Sequence, residues 1–259
     1  DNPDQQIVMI SGHATVDMAV SATKMGAYDF LTKPFKSDVL LHTIDRALAQ
    51  SRLRRENKAL EERLGGGAEP LIGDSPVTQQ LRQAVEKVAP TESRVLISGL
   101  PGTGKGVIAH LLHKSSARKD GPFVVLSCAG MASDDVEPAL FGREATAEAP
   151  RRIGALEEAH GGTLLLDNVS EMPLAAQGKL VRVLHKARFQ RFGGEDWVEV
   201  DVRVIASSNR DLSLEMQEGR FREDLFYRLN VVPLEVPPLV ARRADIPALA
   251  AHMMQRSAR

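Results

Sequence analysis

The segment Gly99-Leu-Pro-Gly-Thr-Gly-Lys105 constrains the fold of this chain more than any other. The apolar run Val95-Leu96-Ile97 precedes it, and Val107, Ile108, Leu111 and Leu112 follow it at helical spacing. Strand, glycine-rich loop and helix in this order make a phosphate-binding loop. Glycine lets the backbone curl until its N–H groups point inward at phosphate oxygens. The helix N-terminus adds positive potential at the same place. Lys105 supplies a point charge for the terminal phosphates. Gly106 stands where a Ser or Thr hydroxyl usually reaches magnesium, so that ligand is missing.

The rest of residues 70–259 agrees with such a loop. Apolar strand candidates at 94–98, 123–127, 163–166, 202–206 and 231–236 alternate with helical patterns. This spacing predicts an α/β domain, a parallel sheet covered by helices on both faces. The third strand, in His160-Gly-Gly-Thr-Leu-Leu-Leu-Asp167, ends on an acid. In P-loop proteins such an aspartate holds magnesium, directly or through water. Phe189–Phe192, the pair Gly193-Gly194 and the alternating Trp197, Val198 and Val200 predict a hairpin, with Trp197 in cross-strand packing.

Residues 1–50 alternate strand and helix signals: an apolar run Ile7–Ile10, a helix over 15–25, a strand Tyr28–Thr32 and a helix from Ser37. Residues 51–69 form a charged helical linker, SRLRRENKALEERL, that runs into the hinge Gly65-Gly66-Gly67. Leu41, Ile44, Leu48, Leu53, Leu60 and Leu64 mark an apolar seam suited to dimerisation. A formal net charge of −1 excludes a global field for nucleic acid or membranes. The single cysteine, Cys128, excludes an internal disulfide and reads as a buried thiol. No apolar stretch spans a bilayer, and the expected location is cytoplasmic. The sequence opens without methionine and stops inside a helical pattern, so a fragment is expected.

LIGDSP, GLPGTGKG, ALFG, EEAHGGTLLLD, RVLHKARFQRFGG, DVRVIASSNRDL, GRFREDLFYRLNVVPLEVPPL and RRADIPAL together resemble the central AAA+ domain of NtrC-type transcription activators, over about residues 70–259. The first fifty residues resemble the back half of a response-regulator receiver, with Ser11 at its hydroxyl position and Lys33 at its lysine. The resemblance implies a two-component response regulator that binds ATP or ADP with Mg2+. Gly99, Gly102, Thr103, Gly104 and Lys105, continuing into Gly106 and Val107, would cradle phosphates, and Ile72-Gly73 would pack on adenine. Asp167 would sit on magnesium and Asn209 would read the terminal phosphate. Arg222 and Arg228 would reach into a neighbouring subunit's site, although their acidic neighbours Glu223 and Asp224 also fit a plain surface salt bridge. The implied partners are other copies of the chain, as a dimer through the linker and a hexameric-type ring, a cognate sensor histidine kinase and RNA polymerase. DNA would be read only through a helix-turn-helix beyond this sequence.

Three positions depart from that pattern. The strand end is Asp167-Asn168 where the family has Asp-Glu, and a carboxamide cannot act as a general base. The asparagine that usually engages that glutamate is Ser127 here. After Leu140-Phe141-Gly142 the chain runs REATAEAPRRIG in place of the sigma-54-contacting GAFTGA loop, as in the NtrX branch. The expectation is therefore nucleotide-dependent oligomerisation with impaired hydrolysis. The alternatives are an active sigma-54-dependent ATPase, a nucleotide-independent oligomerisation module and, more remotely, a small-molecule kinase.

Overall fold

A computed structural model describes residues 8–11, 29–33, 35, 40, 43, 71–145 and 150–257. The chain divides into two compact units after Gly67. In the first, β1 (Val8–Ser11) and β2 (Asp29–Thr32) pair in parallel, with Ser11 opposite Thr32. The helix expected at 15–25, every residue of the apolar seam and the glycine hinge lie outside the described residues.

The second unit is built on five parallel strands: β3 (Val95–Ser98), β4 (Phe123–Ser127), β5 (Thr163–Asp167), β8 (Arg203–Ser208) and β9 (Val232–Glu235). Their order across the sheet is β4-β5-β8-β3-β9. Alternate side chains enter two separate cores. Leu96, Leu164, Leu166, Val204 and Ala206 join one, while Val95, Ile97, Leu165 and Ile205 join the other. A strand apolar on both faces can exist only where helices cover both.

The helices in chain order are α1 (Pro76–Val88), α2 (Lys105–Lys114), α3 (Ser133–Phe141), α4 (Ala155–Glu158), α5 (Leu174–Lys186), α6 (Leu212–Gln217), α7 (Glu223–Leu229) and α8 (Ile246–Ser257). Ser75 caps α1 by accepting from the Thr78 N–H, and Pro76 takes the first helical position, where its missing donor costs nothing. The short hairpin β6 (Arg188–Gln190) and β7 (Trp197–Glu199) follows α5, with Phe189 opposite Val198. Trp197 packs across the hairpin as expected, opposite Gln190, but stays open to solvent. It is 54% exposed, and the Arg188 guanidinium lies over its ring at 4.8 Å. A three-residue strand leaves a large ring with too little neighbouring surface to bury it. Cys128 is buried, and burial pushes its thiol up to about 12.

One buried carboxylate ties the start of this unit to its end. Asp245 accepts hydrogen bonds from the Ser75 N–H (2.8 Å), the Ser75 hydroxyl (2.7 Å) and the Thr78 hydroxyl (2.7 Å). Gly73, at φ +122°, leaves room for it; a Cβ there would sit 2.3 Å from the Asp245 carboxyl carbon. Burial pushes the Asp245 pKa up, but the bonds from Thr78 and Ser75 outweigh it and hold the carboxyl at about 2, below its ordinary 3.8. The sign follows from that depression. The clamp's contribution is complete above the unfolded value of 3.8 and is lost as pH falls through about 2. Asp245→Asn should lower the melting temperature at neutral pH and flatten the acid limb of stability. Thermal melts from about pH 2 to 6 check it; parallel curves for variant and wild type would rule the clamp out.

Candidate nucleotide-binding site

The loop between β3 and α2 is shaped by its glycines. Gly102 and Gly104 take φ of +76° and +95°, a region that favours residues without a Cβ. Gly104 also caps α2 without any side-chain hydrogen bond. The first i to i−4 bond of that helix is Ile108 N–H to Gly104 O, at 3.2 Å, so the N–H groups of Lys105, Gly106 and Val107 point off its end. Thr103 braces the turn by donating to the Leu100 carbonyl at 2.8 Å.

Lys105 is buried, and its ammonium donates to the carbonyls of Gly99 (2.9 Å) and Leu100 (3.1 Å). Burial lowers its pKa, and the charge of Asp167 partly opposes that. A buried cation resting on two neutral carbonyls has unused capacity for an anion.

Two cavities flank the loop. One, of about 480 Å³, is lined by Ile72, Gly102, Thr103, Gly104 and Val107 on one side and by Leu239, Arg242, Ile246 and Met253 on the other. Its apolar walls and the adjoining N–H groups suit a base joined to phosphates. The second, of about 580 Å³, is lined by Ser98, Gly99, Ser208, Asn209 and Asn230 among others. The side-chain oxygens of Asn209 and Asn230 are both buried there without a hydrogen-bond partner. Buried acceptors are rarely left so, which makes both candidates for a donor that the protein does not itself supply.

Strand β5 ends on Asp167, which receives the Ser207 hydroxyl at 2.5 Å on one oxygen and the Asn168 amide at 3.1 Å on the other. Asn168 takes φ +55° and starts the 3₁₀ turn Val169–Glu171. Ser127 lies opposite Asp167 in the β4–β5 register. The described residues contain no group of three or more His, Cys, Asp or Glu that could hold a metal ion. A cation at Asp167 would therefore draw most of its ligands from bound phosphates and water, which is how magnesium usually sits in such sites.

Not every expected residue gathers here. Gly73 faces Asp245 rather than a cavity, and Gly106 lies in the first turn of α2, where an added Cβ would meet open space. Arg222 and Arg228 line neither cavity. They do not share a helix interior either: Arg222 is the N-cap residue of α7. Its guanidinium makes a two-point contact with Asp224, at 2.8 and 3.0 Å. Two residues escaped the sequence reading. Asn230 follows α7 inside the segment GRFREDLFYRLNVVPLEVPPL, but no role was read for it there. Arg242 is buried, donates to the Thr103 carbonyl at 2.7 Å, and leaves its Nε without a partner.

A parallel sheet with a glycine loop after β3 and an acid at the end of β5, one strand removed across β8, defines a P-loop α/β domain. The chain belongs to the sigma-54 interaction domain family, whose model matches residues 71–235, and the receiver domain of response regulators matches residues 1–45. The nitrogen assimilation regulatory protein NtrX of Azorhizobium caulinodans is 48% identical over 96% of this chain and 54% of its own length. The C4-dicarboxylate transport regulator DctD of Rhizobium meliloti is 43% identical over 99% of the chain and 57% of its own. A crystal structure of NtrX from Brucella abortus superposes with a TM-score of 0.85 at 47% identity, covering 99% of this chain and 57% of that one. The chain thus spans about half the length of the relatives it matches. The same Brucella abortus protein has been crystallised with ATP and with ADP, with TM-scores of 0.75 and 0.76.

Proposed function

We propose that residues 70–259 are a nucleotide-holding AAA+ domain of a two-component response regulator, in which ATP sets assembly and turnover is slow. Residues 1–50 would be part of the receiver and residues 51–69 the linker. The buried Lys105 ammonium, parked on loop carbonyls between two cavities, carries this reading. The NtrX complexes with ATP and ADP support it. Bound nucleotide would place its phosphates over Gly102–Val107 and its base beside Ile72, with Asn209 facing the terminal phosphate. Magnesium, held through Asp167, would neutralise phosphate charge. Asn168 spends its amide on Asp167 and has no basic oxygen for a proton, so water would go unactivated.

Assembly would bring Arg222 and Arg228 to a neighbour's site, with Arg222 released from Asp224. The linker seam would support a dimer and the AAA+ domains a ring. A sensor histidine kinase would act on the receiver, RNA polymerase would be the target, and DNA would be read by a helix-turn-helix elsewhere in the parent protein. Calorimetric titration with ATP tests the core of this: saturable binding near one per chain supports it, and no heat overturns it.

The finer part concerns sigma-54. Arg143 pairs with Arg152 and with Phe192, and Arg191 holds Glu144 and Glu157, so the segment leaves and rejoins the domain at one pinned neck. Residues 143–150 carry no Phe-Thr tip to present. The parent protein should not be captured by sigma-54 in the presence of ADP–aluminium fluoride. Stable capture abolished by deleting residues 143–150 would reverse this conclusion.

A further inference from the structure

A third cavity, of about 450 Å³, lies between α5 and the β6–β7 hairpin and shares no lining residue with the two beside the loop. Its walls include Lys179, Arg182, Lys186, Arg188, Phe192 and Trp197 and no acid. The hairpin acids Glu195, Asp196 and Glu199 are outside its lining. Helix α5 contains no Asp or Glu at all. Lys179, Arg182 and Lys186 fall at i, i+3 and i+7, one face of that helix, and Arg188 extends the row into β6. The adjoining stripe, with Ala176, Leu180 and Val183, is in the core, and Val183 also reaches the cavity wall.

A basic helix face is ordinarily a solvated face whose cations are answered by nearby acids. Here only one end of the row is answered, Lys179 by Glu137, while Arg191 on the far wall is tied to Glu144 and Glu157. Arg182, Lys186 and Arg188 form no ion pair with any described residue. The aromatic groups are equally unusual. Trp197 and Phe192 are 54% and 43% exposed, each with a cation over its ring: Arg188 at 4.8 Å on Trp197, and Arg143 and Lys179 at 5.4 and 5.8 Å on Phe192. Solvent-exposed aromatic rings set among cations, of which Arg182, Lys186 and Arg188 have no acid partner among the described residues, in a cleft large enough for a nucleotide, match the stacking-plus-charge chemistry of single-strand binding.

We propose that this cleft is a second ligand site that takes single-stranded nucleic acid, with Arg182, Lys186 and Arg188 on the phosphates and Trp197 stacking a base. An acidic protein segment would satisfy the cations but has no use for two exposed rings. Binding is sequence-tolerant, since every base offers a π-face. With three phosphates neutralised, log affinity falls with log salt at a slope of about −2, that is about 0.7 per contact on a single strand.

Trp197 is the only tryptophan in the chain, so its emission reports on this cleft and nowhere else. The experiment titrates the full chain with the oligonucleotide (dT)20 while following that emission, in low salt. Quenching that saturates, a slope near −2 and a tenfold or greater weakening in R182E/K186E support the site. Folding of that variant is checked by circular dichroism, and R182Q/K186Q repeats the test without charge reversal. W197A, followed by anisotropy of labelled (dT)20, should lose several-fold for the oligonucleotide and little for heparin, a polyanion without bases. K105A should bind (dT)20 as wild type does, which separates this site from the nucleotide loop. Absent quenching, indifference to both double variants, or equal loss for (dT)20 and heparin in W197A overturns the proposal. Competition by poly-glutamate as effective as by (dT)20 would instead make the cleft a dock for acidic protein.

Discussion

Asn168→Glu combined with Ser127→Asn should raise phosphate release from ATP by about 10²- to 10⁴-fold, the usual worth of a general base. The sheet provides the reason. Asn168 follows the last residue of β5 and turns its amide back onto Asp167, at 3.1 Å. Ser127 occupies the position on β4 that faces Asp167 in register. A glutamate at 168 brings an acceptor for the water's proton, and an asparagine at 127 brings a donor long enough to orient it. The single change Asn168→Glu should give less, because a new carboxylate beside Asp167 is repelled without a partner. Steady-state phosphate release from the full chain measures both. An unchanged rate in the double variant would show that the site is disabled elsewhere, and a brisk wild-type rate would show that another group positions the water.

Lys105→Ala should weaken ATP and ADP binding by about 10- to 100-fold, since hydrogen bonds to charged groups contribute about 1.5–3 kcal/mol each. The ammonium is already desolvated and already aimed at the loop, so little of its interaction with phosphate is spent on ordering it. The loop itself should survive the change. Its turn is held by Thr103 on the Leu100 carbonyl and by Arg242 on the Thr103 carbonyl, neither of which involves Lys105. Calorimetry on both proteins checks this, and equal affinities would remove the lysine from the site.

The sheet and the loop were legible because their signals are local. Five apolar runs and a glycine-rich turn need no knowledge of distant contacts, and the strands fall where alternation predicts them. Arg242 and Asn230 were not legible for the opposite reason. Their significance lies in what reaches them from far along the chain: Thr103 is 139 residues from Arg242, and Asn230 gains meaning only from the cavity it shares with Asn209. Asp245 is the same case, joined to Ser75 across 170 residues. The cross-strand packing of Trp197 was legible but its exposure was not, because period-2 alternation says which residues share a face but not whether anything covers that face.

The most direct measurement is the identity of the nucleotide recovered from the protein after long incubation with ATP and magnesium. A domain that holds ATP without turning it over should yield ATP still bound after hours, at close to one per chain, with only a trace of ADP. Recovery of ADP, with phosphate accumulating in solution, would contradict slow turnover. Recovery of no nucleotide would contradict the site itself.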